Sequence, residues 1–468
     1  MRCIKANRPC GGYENDASPE FRQYEARNPS QLSSSSLLIA RKCVIPKRVP
    51  IPGTDILPED AIPPETSEED SNMLALRCFL YDYYMISANR SLSRSYLSGL
   101  DELTHRLGPK SDLAKACQVV AFASHAKPLH RPRFIRKSGI FYQELLASLA
   151  RAIEGSRSGN SVELKVIAMS LGLYQIVMAN ETGPGDHDAH AKGLSALWGT
   201  THLPLNPLVT TLCSSTKTLQ ISNYSNVFSV PALCSPGDSL EHLLFHLHLV
   251  WAKFEVVIAS KDLETLKVQS LALDQRFAMW EETRVDLFKP TVIGHVRPGR
   301  YESEVQVGAW PGKVDTYFDL YVAGVWNIFR TARLLLVALI IELSNSLAEY
   351  DSCTDHIRTA NRIAQDMVAS VPYHLADNLQ VFLNEKETSG GITDPGRFLG
   401  GLLLMHPLYV VSKMPFLSET LRKYFRSCLL WIGSEMGVGQ ATLFANASDI
   451  DRDYLASGCI IIWSGFLM

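Results

Sequence analysis

The sequence predicts an all-α fold: an irregular multi-helix domain of antiparallel helix pairs, preceded by a disordered N-terminal arm. Three observations carry this expectation. From Ser71 onward apolar residues recur at three- and four-residue intervals, strand-like alternation is scarce, and the first 70 residues have linker composition instead. The chain has 468 residues, 46% hydrophobic and 20% charged, which is ample material for a large core.

The helical segments follow in order. Met73, Leu74, Arg77, Cys78 and Tyr81 give a first helical stripe, and Leu97, Leu100, Leu103 and Leu107 a second. Gly108-Pro109, Gly155 to Gly159, Gly183-Pro184-Gly185 and Pro236-Gly237 interrupt the pattern, as helix-stop chemistry requires. Ile293 to Gly312 resists a helical reading and is expected to form a loop with a short hairpin, an excursion within the domain. Three divisions result: residues 1–12, a flexible linker over 13–70, and a helical domain over 71–468.

Charge and cysteine content narrow the function classes. Lys and Arg total 45 against 48 Asp and Glu, a net charge of -3, so nothing attracts nucleic acid or an anionic membrane globally. Ten cysteines are too sparse for a disulfide scaffold, and the N-terminus lacks the apolar segment of a secretory signal. A reducing compartment is expected, cytosol or nucleus. The longest uncharged apolar-rich stretches, Phe398 to Ser412 and Tyr454 to Met468, fall short of the roughly 20 residues a membrane helix needs, so no membrane partner is expected. Six prolines lie between Pro46 and Pro64, and the basic group Arg41, Lys42, Lys47 and Arg48 reads as solvated linker before it reads as a nuclear-import signal.

Cys3 and Cys10, with Lys5, Arg8 and Pro9 between them, are thiolates at a spacing that can ligate zinc. The segment Arg-Cys-Ile-Lys-Ala-Asn-Arg-Pro-Cys-Gly-Gly-Tyr resembles the C-terminal end of the fungal binuclear zinc cluster, the match beginning at the fifth of that family's six cysteines. Independently, Trp326-Asn327, Arg330 and Arg333-Leu334-Leu335-Leu336 resemble the central motif of the fungal-specific transcription-factor regulatory domain. Ser370 to Leu375, Pro407 to Val410 and Gly433 to Ala441 are similar to its later segments in the expected order, and His190, Gly193-Leu194 and Leu197 to an earlier helix.

The resemblance implies a nuclear transcription regulator that places a short helix in the DNA major groove, with zinc as cofactor, a homodimer setting half-site spacing, and the transcription machinery as partner. The first four ligands and the basic recognition helix have no counterpart in the chain. Two thiols do not close a tetrahedral site, so zinc and DNA binding by this chain are not expected. A front end cut from the sequence and a true regulator without a DNA-binding module both account for this, and the residual basic cysteine pair favours the first.

Read without any family, Trp326, Arg330, Arg333 and Val337 share one stripe at about 100° per residue. Beyond Arg333 the helix is apolar all round and belongs in the interior, so both arginines need partners, with Asp315, Asp319 and Glu342 as candidates. The alternative function is a helical small-molecule-binding protein or enzyme with a pocket near Trp326, Arg330 and Arg333.

Other clusters carry less. His242 and His246 share a helix face, but His248 points roughly 160° from His246, which argues against a metal site. Asp186, His187, Asp188 and His190 follow a Gly-Pro-Gly turn and suit a helix N-terminus. Glu281-Glu282 and Asp351 to Asp355 read as solvated faces, and no motif of a known catalytic class is found. No enzyme activity is expected.

Overall fold

The computed structural model describes residues 67–155, 162–197, 227–228, 230–231, 239–257, 262–297, 306–389 and 391–468. The expected arm, with Cys3 and Cys10, lies outside them, as does Pro236-Gly237. Fifteen α-helices dominate the described residues, and the expected all-α class holds. In chain order these are α1 (Glu68–Tyr83), α2 (Leu100–Leu107), α3 (Asp112–Ala126), α4 (Pro132–Gly155), α5 (Val162–Met178), α6 (His187–Leu197), α7 (Leu240–Val257) and α8 (Leu263–Glu282). A two-stranded sheet, β1 (Thr291–Val296) and β2 (Gly312–Thr316), precedes α9 (Leu320–Ser346), α10 (Tyr350–Leu375), α11 (Leu379–Ser389), α12 (Phe398–Ser412), α13 (Glu419–Glu435), α14 (Gly439–Asn446) and α15 (Arg452–Ser464).

Consecutive helices pack on one another, α3 on α4, α5 on α6, α7 on α8, α9 on α10 and α12 on α13, as short connections require. Around these pairs α9 is the axis, touching α7, α8, α10 and α12. It is the helix long and apolar enough to cross a membrane by length and composition, yet 89% of its most apolar window is buried inside the protein. That places it as a core helix.

Two expectations change at the N-terminal side. The first helix begins at Glu68, where Ser67 accepts a 3.1 Å hydrogen bond from the Asp70 amide, so the acids assigned to the linker are a helix N-terminus favoured by the macrodipole. Its buried face is Ala75, Leu76, Phe79 and Tyr83, while Met73, Leu74 and Tyr81 are exposed. α1 is apolar on two sides, and its packing on α3 and α12 decides which faces inward. Leu97 lies before α2 in a loop, its amide bonded to the Gly465 carbonyl at 2.8 Å.

The expected excursion is a hairpin whose strands reach further out, with a register shift between Val292 and Gly294. Gly108 and Gly185 stand at positive φ, +87° and +85°, where the chain turns between helices.

Gly400 marks one of the closest backbone approaches. A Cβ there would lie 2.0 Å from the His374 carbonyl oxygen, because the start of α12 presses on the end of α10. Gly400→Ala is expected to lose about 2–3 kcal/mol in urea denaturation, the upper part of the range for overpacking. Gly193→Ala, on the exposed side of α6 with nothing within 4 Å, should be neutral or stabilising by up to about 1 kcal/mol. Equal midpoints for the two variants would contradict the placement of α12.

Candidate functional site

α9 starts at Asp319, whose carboxylate accepts the Val322 amide at 3.0 Å and the Ser93 hydroxyl. From there to Ser344 almost every side chain is buried, so each polar group on it must find its partner within the protein. The four residues singled out from the sequence, Trp326, Asn327, Arg330 and Arg333, all meet this requirement, by different means.

Trp326 donates its indole N–H to the Phe288 carbonyl at 2.7 Å and meets Trp280 edge-on at 5.4 Å. Trp280 in turn stacks on Phe329 at 4.6 Å, so the tryptophan belongs to an aromatic cluster.

Asn327 joins α9 to α10. Its Nδ2 lies 3.0 Å from both the Ser370 hydroxyl and His374 Nε2 on α10, and its Oδ1 accepts Arg330 Nη1 at 3.1 Å. Ser370 and His374 fall in a segment that the sequence matched separately, and the fold brings it against the central motif. His374 Nδ1 is 3.2 Å from the Gly400 carbonyl, which can only accept, so Nδ1 carries the proton and Nε2 accepts from Asn327. Burial pushes the His374 pKa down to about 4, against the Gly400 hydrogen bond that favours the charged form. A second proton would set two donors face to face.

Arg330 donates to the Tyr317 hydroxyl at 2.8 Å and lies 3.8 Å from the Asp315 carboxylate, with its guanidinium over the rings of Trp326 and Tyr317. Arg333 reaches elsewhere, to Asp274 at 2.9 Å and Glu281 at 2.8 Å. Arg362 shares Glu281 at 3.2 Å and holds Asp366 at 3.2 Å. Lys313 then joins Asp366 at 2.8 Å to Asp315 at 3.5 Å, returning to Arg330. Burial raises the Asp315 pKa above its ordinary value, against the pull of Lys313 and Arg330.

The network therefore sets four cations, Arg330, Arg333, Arg362 and Lys313, against four carboxylates, Asp274, Glu281, Asp315 and Asp366. Asp315 is one of the three acids expected. Asp319 is instead the helix cap, Glu342 is exposed, and Glu281, read as a solvated face, bridges two arginines. The signal that could have found the α8 partners is the seven-residue spacing of Asp274 and Glu281, which puts both on one helix face.

Two clefts among the described residues, of about 280 and 340 Å³, are lined by neither Trp326, Arg330 nor Arg333. With both guanidiniums paired, the alternative of a pocket at these residues loses its motivation.

The other clusters also fall into place. His242 and His246 approach at 2.8 Å between ring nitrogens, and no group of three or more His, Cys, Asp or Glu with metal-site geometry occurs among the described residues. His187 opens α6 and bonds the Tyr454 carbonyl at 2.8 Å, His190 meets the Tyr142 hydroxyl at 2.9 Å, and Asp188 accepts from Ser457 at 2.7 Å, which docks α6 on α15.

No known family profile and no solved structure matches the chain. Among curated proteins, transcription factor dbaG of Emericella nidulans is 40% identical over 423 residues, a match that spans 88% of this chain and 100% of dbaG. The chain belongs to the dbaG family of transcription factors.

Two measurements probe this network. Arg333→Met strands Asp274, leaves Glu281 with Arg362 alone and should cost about 3 kcal/mol, whereas Arg362→Met, on a half-exposed side chain, should cost about 1 kcal/mol or less. Comparable losses in the two denaturation curves would show that Arg333 is not a buried anchor. The second is pH dependence. His374 has a folded pKa below its unfolded one, so the unfolded chain binds the extra proton first and stability falls as pH drops from about 6.5 towards about 4. Between pH 6.5 and pH 5 the wild type should lose about 2 kcal/mol relative to His374→Gln. A pH-independent difference between the two proteins would remove the neutral-imidazole assignment.

Proposed function

We propose that the chain is the helical regulatory domain of a fungal transcription regulator of the zinc-cluster class. It works in the nucleus through helical surfaces that meet a second copy or the transcription machinery. The observation that carries this reading is the 40% identity to transcription factor dbaG along that protein's whole length. The finer class rests on Cys3 and Cys10 and on the ordered motifs from Trp326 to Ala441. Contact between two of those motifs at Asn327 supports treating residues 71–468 as one regulatory unit.

Zinc does not fit the donors this chain offers. Cys3 and Cys10 supply two thiolates where a closed structural site takes four. Recognition of a specific DNA site by the zinc-cluster route would need ligands beyond these, and no step is assigned to the metal. What remains near Cys3 and Cys10 is a short basic stretch, Arg2, Lys5 and Arg8, which suits weak phosphate contact.

The test pairs two readouts on the full chain. Fused to an unrelated DNA-binding module, it should change output from a reporter carrying that module's site, relative to the module alone. Unfused, it should bind DNA without sequence preference, with a slope of log affinity against log salt of about -3 or shallower from three basic side chains. Unchanged reporter output would overturn the regulatory reading, and selective retention of a palindromic site would overturn the assignment of DNA recognition to other groups.

A further inference from the structure

A cleft of about 280 Å³ opens where the end of α10 and the start of α9 face α1 and the N-terminus of α12. Its walls include Tyr81, Phe318 and Tyr373, with Asp319, Asp377 and Arg397 as the charged groups. Three aromatic side chains and one guanidinium are a combination that recognises a flat apolar body carrying an anionic end.

The charges in the cleft are not equivalent. Asp319 is spent on the Ser93 hydroxyl and the Val322 amide. Asp377 takes the Tyr81 hydroxyl at 3.0 Å. Arg397 has no carboxylate within ion-pair distance among the described residues. Its close contacts are the face of Tyr81, at 5.4 Å, and one long 3.4 Å bond to the Tyr84 carbonyl, and its charge also acts at longer range on the buried Asp82. Most of its five N–H donors are therefore open to a ligand, and a carboxylate is the group whose geometry matches the guanidinium fork. Its situation contrasts with Arg330, held by Tyr317 and Asn327, and Arg333, held by Asp274 and Glu281.

We infer that this cleft binds a small organic carboxylate with an aromatic or flat apolar body, its acid group on Arg397 and its body between Tyr81, Phe318 and Tyr373. The volume sits at the lower edge of the ~300–1,000 Å³ of typical small-molecule sites, which limits the occupant to a small molecule. The cleft also touches the buried network. His374 lines it and accepts from Asn327 of the central motif, which accepts from Arg330, so a residue on the cleft wall is one hydrogen bond from that motif and two from Arg330.

The inference concerns binding and stands apart from the transcriptional reading, since it is tested on the purified full chain with no promoter present. Ligand-observed NMR titration with benzoate and with benzamide, the uncharged analogue of the same shape, should show benzoate binding at least about tenfold tighter. Arg397→Gln should abolish that preference while retaining a cooperative thermal transition, and Arg397→Lys should keep part of it. Asp377→Asn, which removes a carboxylate charge from the cleft wall and leaves Arg397 intact, should strengthen benzoate binding. Absence of benzoate binding to the wild type, equal binding of acid and amide, or an Arg397→Gln protein that keeps the preference would each overturn the assignment. If Arg397→Gln fails to fold, the acid-to-amide comparison and Asp377→Asn still decide.

Discussion

Burying two guanidinium groups on an otherwise apolar helix is the constraint around which this protein is organised. A charged side chain moved into the interior costs several kcal/mol unless its hydrogen bonds are satisfied, and α9 carries Arg330 and Arg333 at its most enclosed part. Their partners come from α8, β2 and the stretch leading into α9, and through Arg362 and Asp366 the network extends to α10. Three segments, α8, the run from β2 into α9, and α10, must thus meet along one side of α9, with the two arginines at the buried end of the network and Arg362 and Lys313 at its exposed end. A pairing of this kind adds little net stability over well-packed apolar side chains. Its effect is on alternatives, because rotating α9 by one residue turns both arginines by about 100° and strands them among Leu, Val and Phe.

The same logic explains what could be read before any coordinates. That Arg330 and Arg333 need partners follows from local pattern alone, and Asp315, fifteen residues before Arg330, was within reach of that argument. Asp274 and Glu281 lie 59 and 52 residues before Arg333, and nothing local ties them to it. α1 shows the opposite limit: helix type was legible, the buried face was not. Met73, Leu74 and Tyr81 on one side compete with Leu76, Phe79 and Tyr83 on the other, and the buried side also holds Asp82, which hydropathy alone would place outward. The hairpin was located because its glycines and prolines exclude a helix, while its strand ends depended on a pairing register that no local signal encodes.

Asn327 shows how a residue singled out from the sequence acquires physical meaning. Considered alone it is a polar residue on an apolar helix, an unfavourable choice unless both ends of its amide are used. The fold uses both, Nδ2 on α10 and Oδ1 on Arg330, and a neutral His374 completes the arrangement by receiving one proton and giving another to Gly400. The close approach at Gly400 has the same origin. The carbonyl that holds the imidazole tautomer belongs to the residue whose missing Cβ lets α12 reach α10. Packing and proton position are set by one contact.

The contrast between paired and open arginines separates scaffold from surface. Arg330 and Arg333 are bound on every side by aromatic rings, hydroxyls and carboxylates, so a ligand that recruited either would first have to break a buried pair, at about 3–5 kcal/mol. Arg397 has no close ion pair to break: it holds one ring face and one long carbonyl bond, and acts on Asp82 only at longer range. Effector sensing in a helical regulator needs a site that is free to bind and mechanically joined to the core. The cleft at the junction of α9, α10 and α12 has both properties, with Arg397 at its rim and His374 at its floor. The motif residues that drew attention in the sequence are accordingly the structure through which such a site is held, and the chemistry available to a ligand lies one layer outward.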